Sequence, residues 1–478
     1  MQTAGIRQGC PLSPLLFALA ADLLLKRLRR TFPTACIRAY ADDLAMVLPD
    51  FSAVLGQLET TFEEYERLAG LRLHHGKSVL VPLFAAPLER IRETMAAAAP
   101  SWGDFSISLA AKYLGIVMGP GRGEQSWEKP IRKFLDRSRA WGAMGGGMHL
   151  NIRAYQIYIA TVLSFVGQLD NLPREWGQHE AQACRLLFKG PTGWMTPGCL
   201  RAAKHLGLPA ELPDLRVVTL AAKCRVHRYE NAKAGGLNAT ERAEELERVV
   251  RTSAAADIPL DWLPWLCGSF LRKLADAHEE LQARDPGCER ARALAGTDPA
   301  ARKTQWQRAC VVVLRPPHIE QALRHLRRRL DRWEVEALPG HRVGRVVQLL
   351  QSLSRLVQPR VVAAVLRLLC NGVVTARRFQ GRGRCRFGCP EPDSVEHYAG
   401  CPHVVFFYRA RLGLALGSLA RFLLLHRADE QELARGALGV YSVIHALNHA
   451  RAGGFSVFQA REALQQGLRE AVRGRIFA

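Results

Sequence analysis

The sequence predicts an α+β protein with its short strands confined to the front of the chain and helices filling the rest. Three observations point there. Up to about residue 119, short β-type apolar runs are interleaved with helical stretches. From Gly119-Pro120-Gly121 onward, with more glycines at 142 and 145–147, the apolar spacing is mainly helical. Near residue 385 a Cys/His cluster occupies a short polar loop between two helical regions. The 478 residues suffice for two to four domains.

Ser13-Pro14 before an apolar run is a helix start, with Ser as N-cap and Pro at the first helical position. Leu15, Leu19 and Leu23 repeat every four residues, and Leu16, Leu24 and Leu28 widen the stripe. Lys26, Arg27, Arg29 and Arg30 suit the negative end of the helix dipole, and Pro33 stops the element. Two β-type runs follow, Ala35 to Tyr40 and Leu44 to Leu48, separated by Ala41-Asp42-Asp43: a hairpin with acids at its tip. A helix from Phe51 to Ala69 carries Leu55, Leu58, Phe62 and Tyr65 on one face and ends at Gly70. Strand-like pieces are expected around Ser78 to Leu83 and Lys112 to Met118.

Farther on, Ile319, Leu323, Leu326, Leu330 and Trp333 form an apolar stripe, with Arg324, Arg327, Arg328 and Arg332 elsewhere on the same helix. Those arginines read either as a solvated basic face or as phosphate contacts. Val346 to Cys370 is helical with a break at Pro359, and the last seventy residues are amphipathic helices.

Composition narrows the function classes. There are 66 Lys and Arg against 44 Asp and Glu, a formal net charge of +22, so a polyanionic partner is favoured. Apolar residues make up 48% and charged residues 23%, which excludes wholesale disorder. Twelve cysteines are too sparse for a disulfide framework, and Cys184, Cys224, Cys267, Cys310 and Cys370 read as small buried hydrophobes. No segment has the length of uncharged apolar sequence that a membrane span needs, so no membrane partner is expected. The N-terminal stretch is a poor signal peptide, because Pro11 and Pro14 interrupt it and Arg7 is its single early charge.

Asp42 and Asp43 can be plain turn chemistry. A tight hairpin also presents two carboxylates rigidly, which suits hard divalent cations. Their neighbours favour the second reading. Gly5-Ile6-Arg7-Gln8-Gly9-Cys10-Pro11-Leu12-Ser13-Pro14-Leu15-Leu16-Phe17 followed by Tyr40-Ala41-Asp42-Asp43 resembles motifs B and C of reverse transcriptases, most closely those of non-LTR (LINE-like) retrotransposons. Gly70-Leu71-Arg72-Leu73-His74-His75-Gly76-Lys77-Ser78 is similar to motif D, and Lys112-Tyr113-Leu114-Gly115 to motif E. Four ordered motifs within about 120 residues are far more specific than one.

The resemblance implies an RNA-directed DNA polymerase that works on an RNA template with a DNA primer or target. Asp42 and Asp43 would be the motif C ligands of Mg²⁺. Arg7, Gln8, Gly9 and Tyr40 would line the nucleotide and template pocket, and Lys77 would act near the leaving pyrophosphate. Tyr113, Leu114 and Gly115 would lie in the primer grip. Motif D usually has Asn where this chain has His74. The family's motif A, which carries a third metal-binding aspartate, precedes motif B, and here motif B starts at Gly5. Asp136, Asp257 and Asp261 lack the strand context that motif A requires. The chain is therefore expected to be the C-terminal portion of such a protein, with a truncated palm, inactive alone and dependent on an upstream segment carrying motif A and the fingers. The alternative is a non-catalytic nucleic-acid-binding remnant. Nuclear action is implied by the family only, and localisation stays open.

Cys385, Cys389, His397 and Cys401 follow a Cys-x3-Cys-x7-His-x3-Cys spacing. Three thiolates and one imidazole suit a closed, structural Zn²⁺ site, and Gly388, Pro390 and Pro392 let the loop fold back. His403 is a weaker substitute for His397. The cluster resembles the Cys-Cys-His-Cys knuckle that follows the polymerase in many non-LTR proteins, with three residues instead of the common four before the last Cys. Arg377, Arg378, Arg382, Arg384 and Arg386 form a basic approach suited to phosphate contact. Phe379, Phe387 and Tyr398 either stack on unpaired bases or pack the knuckle. The expected organisation is a palm over 1–119, a helical thumb and connector over 120–383, the knuckle over 384–405 and a helical tail over 406–478.

Overall fold

A computed structural model describes residues 11–83, 87–233, 237–253, 269–296, 303–333, 342–426, 428–450 and 455–473. The chain forms two compact units. One comprises residues 1–129 and 226–279, the other 130–225 and 280–478.

In the first unit, helix α1 spans Ser13–Thr31. Ser13 is not its N-cap: Leu12 holds that place with helical dihedrals and no side-chain cap, so Pro14 sits one position farther in. The core side of α1 is also rotated from the simple four-residue repeat. Leu24, Leu25 and Leu28 pack inward, while Leu15, Leu19 and Leu23 are exposed. Strands β1 (Cys36–Tyr40) and β2 (Asp43–Val47) form an antiparallel hairpin in which Tyr40 faces Asp43 and Ile37 faces Met46. A lone hairpin is marginal in water. Here Ile37 is buried, and Leu44 and Met46 pack on the same core as Leu28 and Phe32 from the end of α1.

Helix α2 (Phe51–Ala69) starts with the Asp50 side chain accepting from the Ala53 amide, 3.1 Å, and ends at Gly70 with φ 66°. A side chain at that left-handed position would be strained, which explains the glycine. Helix α3 (Leu88–Ala98) packs against α2. Leu55, Leu58, Met95 and Trp102 complete the core, and Trp102 stacks on Phe105 at 4.8 Å. The strand expected over Ser78 to Leu83 shrinks to β3 (Val79–Leu80), paired in parallel with β4 (Ser106–Ile107). The segment Lys112 to Met118 is a hairpin, β5 (Ala111–Tyr113) and β6 (Ile116–Met118). Its two loop residues, Leu114 and Gly115, have φ 47° and 89°, as a two-residue turn matched to strand twist requires.

The second unit is helical among its described residues. Pro359–Leu369 is buried nearly all round, which marks a central helix. It packs against Glu430–His449, which in turn packs against Val457–Val472. The break at Pro359 appears as expected, between the helices Arg342–Leu356 and Pro359–Leu369. Ile319–Leu330 is a helix whose buried side is Ala322, Leu326 and Leu330; Trp333, just past its end, is buried as well. Cys184, Cys224, Cys310 and Cys370 are buried small hydrophobes, and Cys267 lies outside the described residues.

Beneath these helices lies a polar network. Arg201 contacts Glu180 at 2.5 Å and Asp214 at 3.6 Å, and Asp214 lies 3.3 Å from His318 Nε2. Arg315 pairs with Glu211 at 2.7 Å.

Candidate polymerase hairpin and metal-binding knuckle

The acidic hairpin places Asp42 in the two-residue turn and Asp43 at the start of β2. Both are exposed, as is Tyr40 beside them. Ala41 takes φ 50°, a left-handed conformation that costs an L-residue about 1–2 kcal/mol. Among the described residues neither carboxylate has an ion-pair partner. Two unpaired, exposed carboxylates on a short hairpin offer hard oxygen ligands, which is the donor chemistry that Mg²⁺ requires.

The Tyr113 hydroxyl lies 3.5 Å from the Arg38 carbonyl oxygen, so the turn of β5 and β6 stands beside β1 of the acidic hairpin. Lys77 is exposed at the end of a single helical turn, His75–Lys77, held by its amide donating to the His74 carbonyl at 3.0 Å. Arg7, Gln8 and Gly9 lie outside the described residues.

The knuckle is built more tightly. The ligand atoms of Cys385, Cys389, His397 and Cys401 all lie within 4.8 Å of one another. The Cys385 and Cys401 sulfurs are 3.9 Å apart, and those of Cys389 and Cys401 are 3.5 Å apart. A tetrahedral ion with Zn–S bonds of about 2.3 Å separates its sulfurs by about 3.8 Å, so the spacing fits. His397 Nε2 is buried without a hydrogen-bond partner, an orphan that a metal would satisfy. His403 is not part of the cluster. The S–H bond shared with Cys401 draws the Cys385 thiol down to about 5, and the same bond pushes Cys401 up.

Local structure explains the convergence. Gly388, at φ 90°, turns the chain so that its amide donates to the Cys385 carbonyl at 3.1 Å. The Cys385 amide donates to the Glu391 carbonyl at 2.8 Å. Ser394 caps the helix Val395–Gly400 by accepting from the His397 amide at 3.1 Å. Asp393, which the motif pattern did not single out, is the hub. Its carboxylate accepts from the Ala376 amide at 2.8 Å, from Arg386 Nε at 3.3 Å and from the Tyr398 hydroxyl. The signal available in sequence was Asp393-Ser394 immediately before a helix, a capping pattern.

The aromatics divide between the two roles considered for them. Phe387 and Tyr398 are buried against each other, 5.4 Å between ring centroids, and form the knuckle core. Phe379 is 60% exposed. Arg382 and Arg384 are exposed, and Arg377 is exposed but pairs with Glu396 at 3.3 Å. Arg386 turns inward, to Asp393 and to the Leu447 carbonyl at 3.2 Å, and is structural.

Comparison with known proteins places a family match at the front of the chain. Residues 1–118 match the family described as reverse transcriptase (RNA-dependent DNA polymerase). Over 96 residues, 19% of this chain, the sequence is 34% identical to the retrotransposable element SLACS 132 kDa protein of Trypanosoma brucei gambiense. The match covers 8% of that protein. No solved structure matches. No described helix is long and apolar enough to cross a membrane. Residues 1–118, the segment that carries the acidic hairpin, are thus similar to the reverse transcriptase family, and part of the chain is similar to a retrotransposable-element protein.

Proposed function

We propose that this chain is the C-terminal portion of a non-LTR retrotransposon reverse transcriptase and serves RNA-templated DNA synthesis. The observation that carries the reading is the exposed, unpaired Asp42–Asp43 hairpin inside the segment matched to the reverse transcriptase family. In this reading a primer 3′-hydroxyl attacks the α-phosphate of a deoxynucleoside triphosphate and pyrophosphate leaves. Asp42 and Asp43 would hold Mg²⁺, which when bound neutralises charge on the phosphates and aligns the attacking and leaving oxygens. Lys77 supplies a proton or a positive charge at the leaving pyrophosphate. Gln8 and Gly9, with Arg7 and Tyr40, would contact the template and the incoming nucleotide. Tyr113, Leu114 and Gly115 support the primer end, consistent with the approach of Tyr113 to Arg38.

In this reading two carboxylates leave the site short of a third, and Asp136, Asp257 and Asp261 lack the sequence context to supply it. Activity in this reading depends on a segment carrying motif A and the fingers. The knuckle residues Cys385, Cys389, His397 and Cys401 would hold a structural Zn²⁺, and exposed Arg382 and Arg384, with Arg377 and Arg378, contact nucleic acid beside it.

The test is single-nucleotide extension of a DNA primer on an RNA template with Mg²⁺. It compares the 478-residue chain with the same chain extended by the coding sequence that precedes it. Extension is expected only in the longer form. Robust extension by the shorter chain would overturn the dependence on motif A. Failure of both, with RNA binding intact, would favour the non-catalytic nucleic-acid-binding reading.

A further inference from the structure

The helix Ile319–Leu330 buries Ala322, Leu326 and Leu330 and turns Arg324, Arg327 and Arg328 to solvent. Arg332 continues the line in the turn that follows, where its amide donates to the Arg329 carbonyl at 3.3 Å. Arg324, Arg328 and Arg332 are spaced by four residues, a step of about 6 Å along a helix. Like charges at that spacing oppose helix formation. Among the described residues none of the three has an ion-pair partner, although Glu320 and Asp331 belong to the same segment.

The stripe does not end with the helix. Arg329 reaches the Gly193 carbonyl oxygen, and Arg367 lies 5.4 Å over the Trp194 ring, with its Nε donating to the Gly372 carbonyl at 2.8 Å. Burial first, and then the guanidinium groups of Arg378 and Arg332, lower Arg329 from its ordinary value. Arg378 and Arg332 are therefore among the charges near Arg329. Arg378 Nε is buried and has no hydrogen-bond partner. The neighbouring Phe379 ring is exposed. Arginines thus recur from Arg324 to the loop that enters the knuckle, and among the described residues Arg324, Arg328 and Arg332 form no ion pair.

We propose that Arg324, Arg328 and Arg332, continued by Arg329 and Arg378, form a phosphate-binding track for an unpaired nucleic-acid strand that leads to the knuckle. This rests on the nucleic-acid reading above and adds a site to it. A membrane surface fits less well, because the apolar side of the helix is buried in the protein and cannot insert into lipid. Phe379 beside Arg378 supplies a stacking face for a base, which only an unpaired strand can offer.

The test is binding of the full chain to a labelled oligouridylate of about 20 nucleotides, measured by anisotropy across a KCl series. Arg324→Gln/Arg328→Gln/Arg332→Gln is expected to reduce the slope of log affinity against log salt by about 2, at ~0.7 per lost phosphate contact. The Lys triple variant should keep the wild-type slope. If the Gln triple variant loses helicity, Arg328→Gln alone should reduce the slope by about 0.7. Phe379→Ala should weaken oligouridylate binding about tenfold and leave duplex binding unchanged. An unchanged slope in the Gln variants, with wild-type RNA binding intact, would overturn the track alone. No RNA binding by the wild type would overturn the nucleic-acid reading and the track together. Binding to phosphatidylserine vesicles that the Gln variant loses, with RNA binding untouched, would assign the stripe to a membrane and overturn the proposal. A duplex bound as tightly as the single strand would overturn its assignment to unpaired nucleic acid.

Discussion

The Tyr398 hydroxyl donates to the Asp393 carboxylate inside the knuckle, and both side chains are buried. Because Asp393 also accepts from the Ala376 amide and from Arg386, one carboxylate ties the basic approach loop to the helix that carries His397. Burial first, and then this carboxylate, push the Tyr398 phenol above its ordinary range, so it remains a donor.

Asp393→Asn should weaken that hub by about 2 kcal/mol, the value of hydrogen bonds to a charged group. Amide exchange at Ala376 should then quicken about 30-fold, since each 1.4 kcal/mol is tenfold. Tyr398→Phe, which removes one of the three donors, should cost about 1 kcal/mol. Unchanged Ala376 protection in Asp393→Asn would remove Asp393 from this role.

Zinc is the second point of contact with experiment. The purified chain should carry one zinc per molecule, and Cys389→Ser should lose it. Ligand cysteines must be deprotonated to bind, so retention should fall as the pH drops. Elemental analysis of wild type and variant across pH checks both. Stoichiometric zinc in Cys389→Ser would refute the ligand set.

A pair of histidines sets a pH response in the first unit. The rings of His227 and His278 stack 4.2 Å apart. Burial first, then the neighbouring His278, lower His227 to about 4. Burial also lowers His278, against the pull of Glu279. In the unfolded chain both titrate near 6.5. As pH falls below 6.5 the unfolded chain binds more protons than the folded one, so stability is lost progressively down to about pH 4. His227→Gln should flatten this loss by about 1 kcal/mol, allowing for solvent screening. Urea unfolding at pH 7 and pH 5 gives the comparison; an identical pH dependence in the variant would rule the pair out as its source.

The buried network of the second unit yields a larger effect. Arg201 is nearly enclosed and is shared by Glu180 and Asp214. Arg201→Met leaves both carboxylates buried without it and should cost about 3–5 kcal/mol. Glu180→Gln, which keeps an acceptor for Arg201, should cost clearly less. Equal costs measured by denaturant unfolding would contradict a shared cation.

Local signals were the ones legible in the sequence. Helix α2, from its first residue to Gly70, and the hairpin with its carboxylates at the turn follow from nearest-neighbour chemistry, and the structure has them there. The break at Pro359 is legible for the same reason. What failed depended on neighbours distant in sequence. The core side of α1 is set by where Phe32, Ile37 and Leu55 lie, so Leu15, Leu19 and Leu23 share the helical repeat yet face outward. The strand at Ser78 to Leu83 extends only as far as its parallel partner, Ser106–Ile107. Arg201, Glu180, Asp214 and His318 are scattered charges until the helices bring them together. The clustering of Cys385, Cys389, His397 and Cys401 was readable from spacing, whereas Asp393 needed the fold to show its three donors.

We propose the Asp42–Asp43 hairpin as the metal-binding part of an RNA-templated polymerase. It is tested most directly by Mg²⁺-dependent primer extension in the form of the protein that also carries motif A, wild type beside Asp42→Asn. The account predicts a rate lower by about 1,000-fold or more in the variant, about 4 kcal/mol of lost transition-state stabilisation, with RNA binding unchanged. A variant that extends within about threefold of wild type, a difference of under 1 kcal/mol, would contradict it.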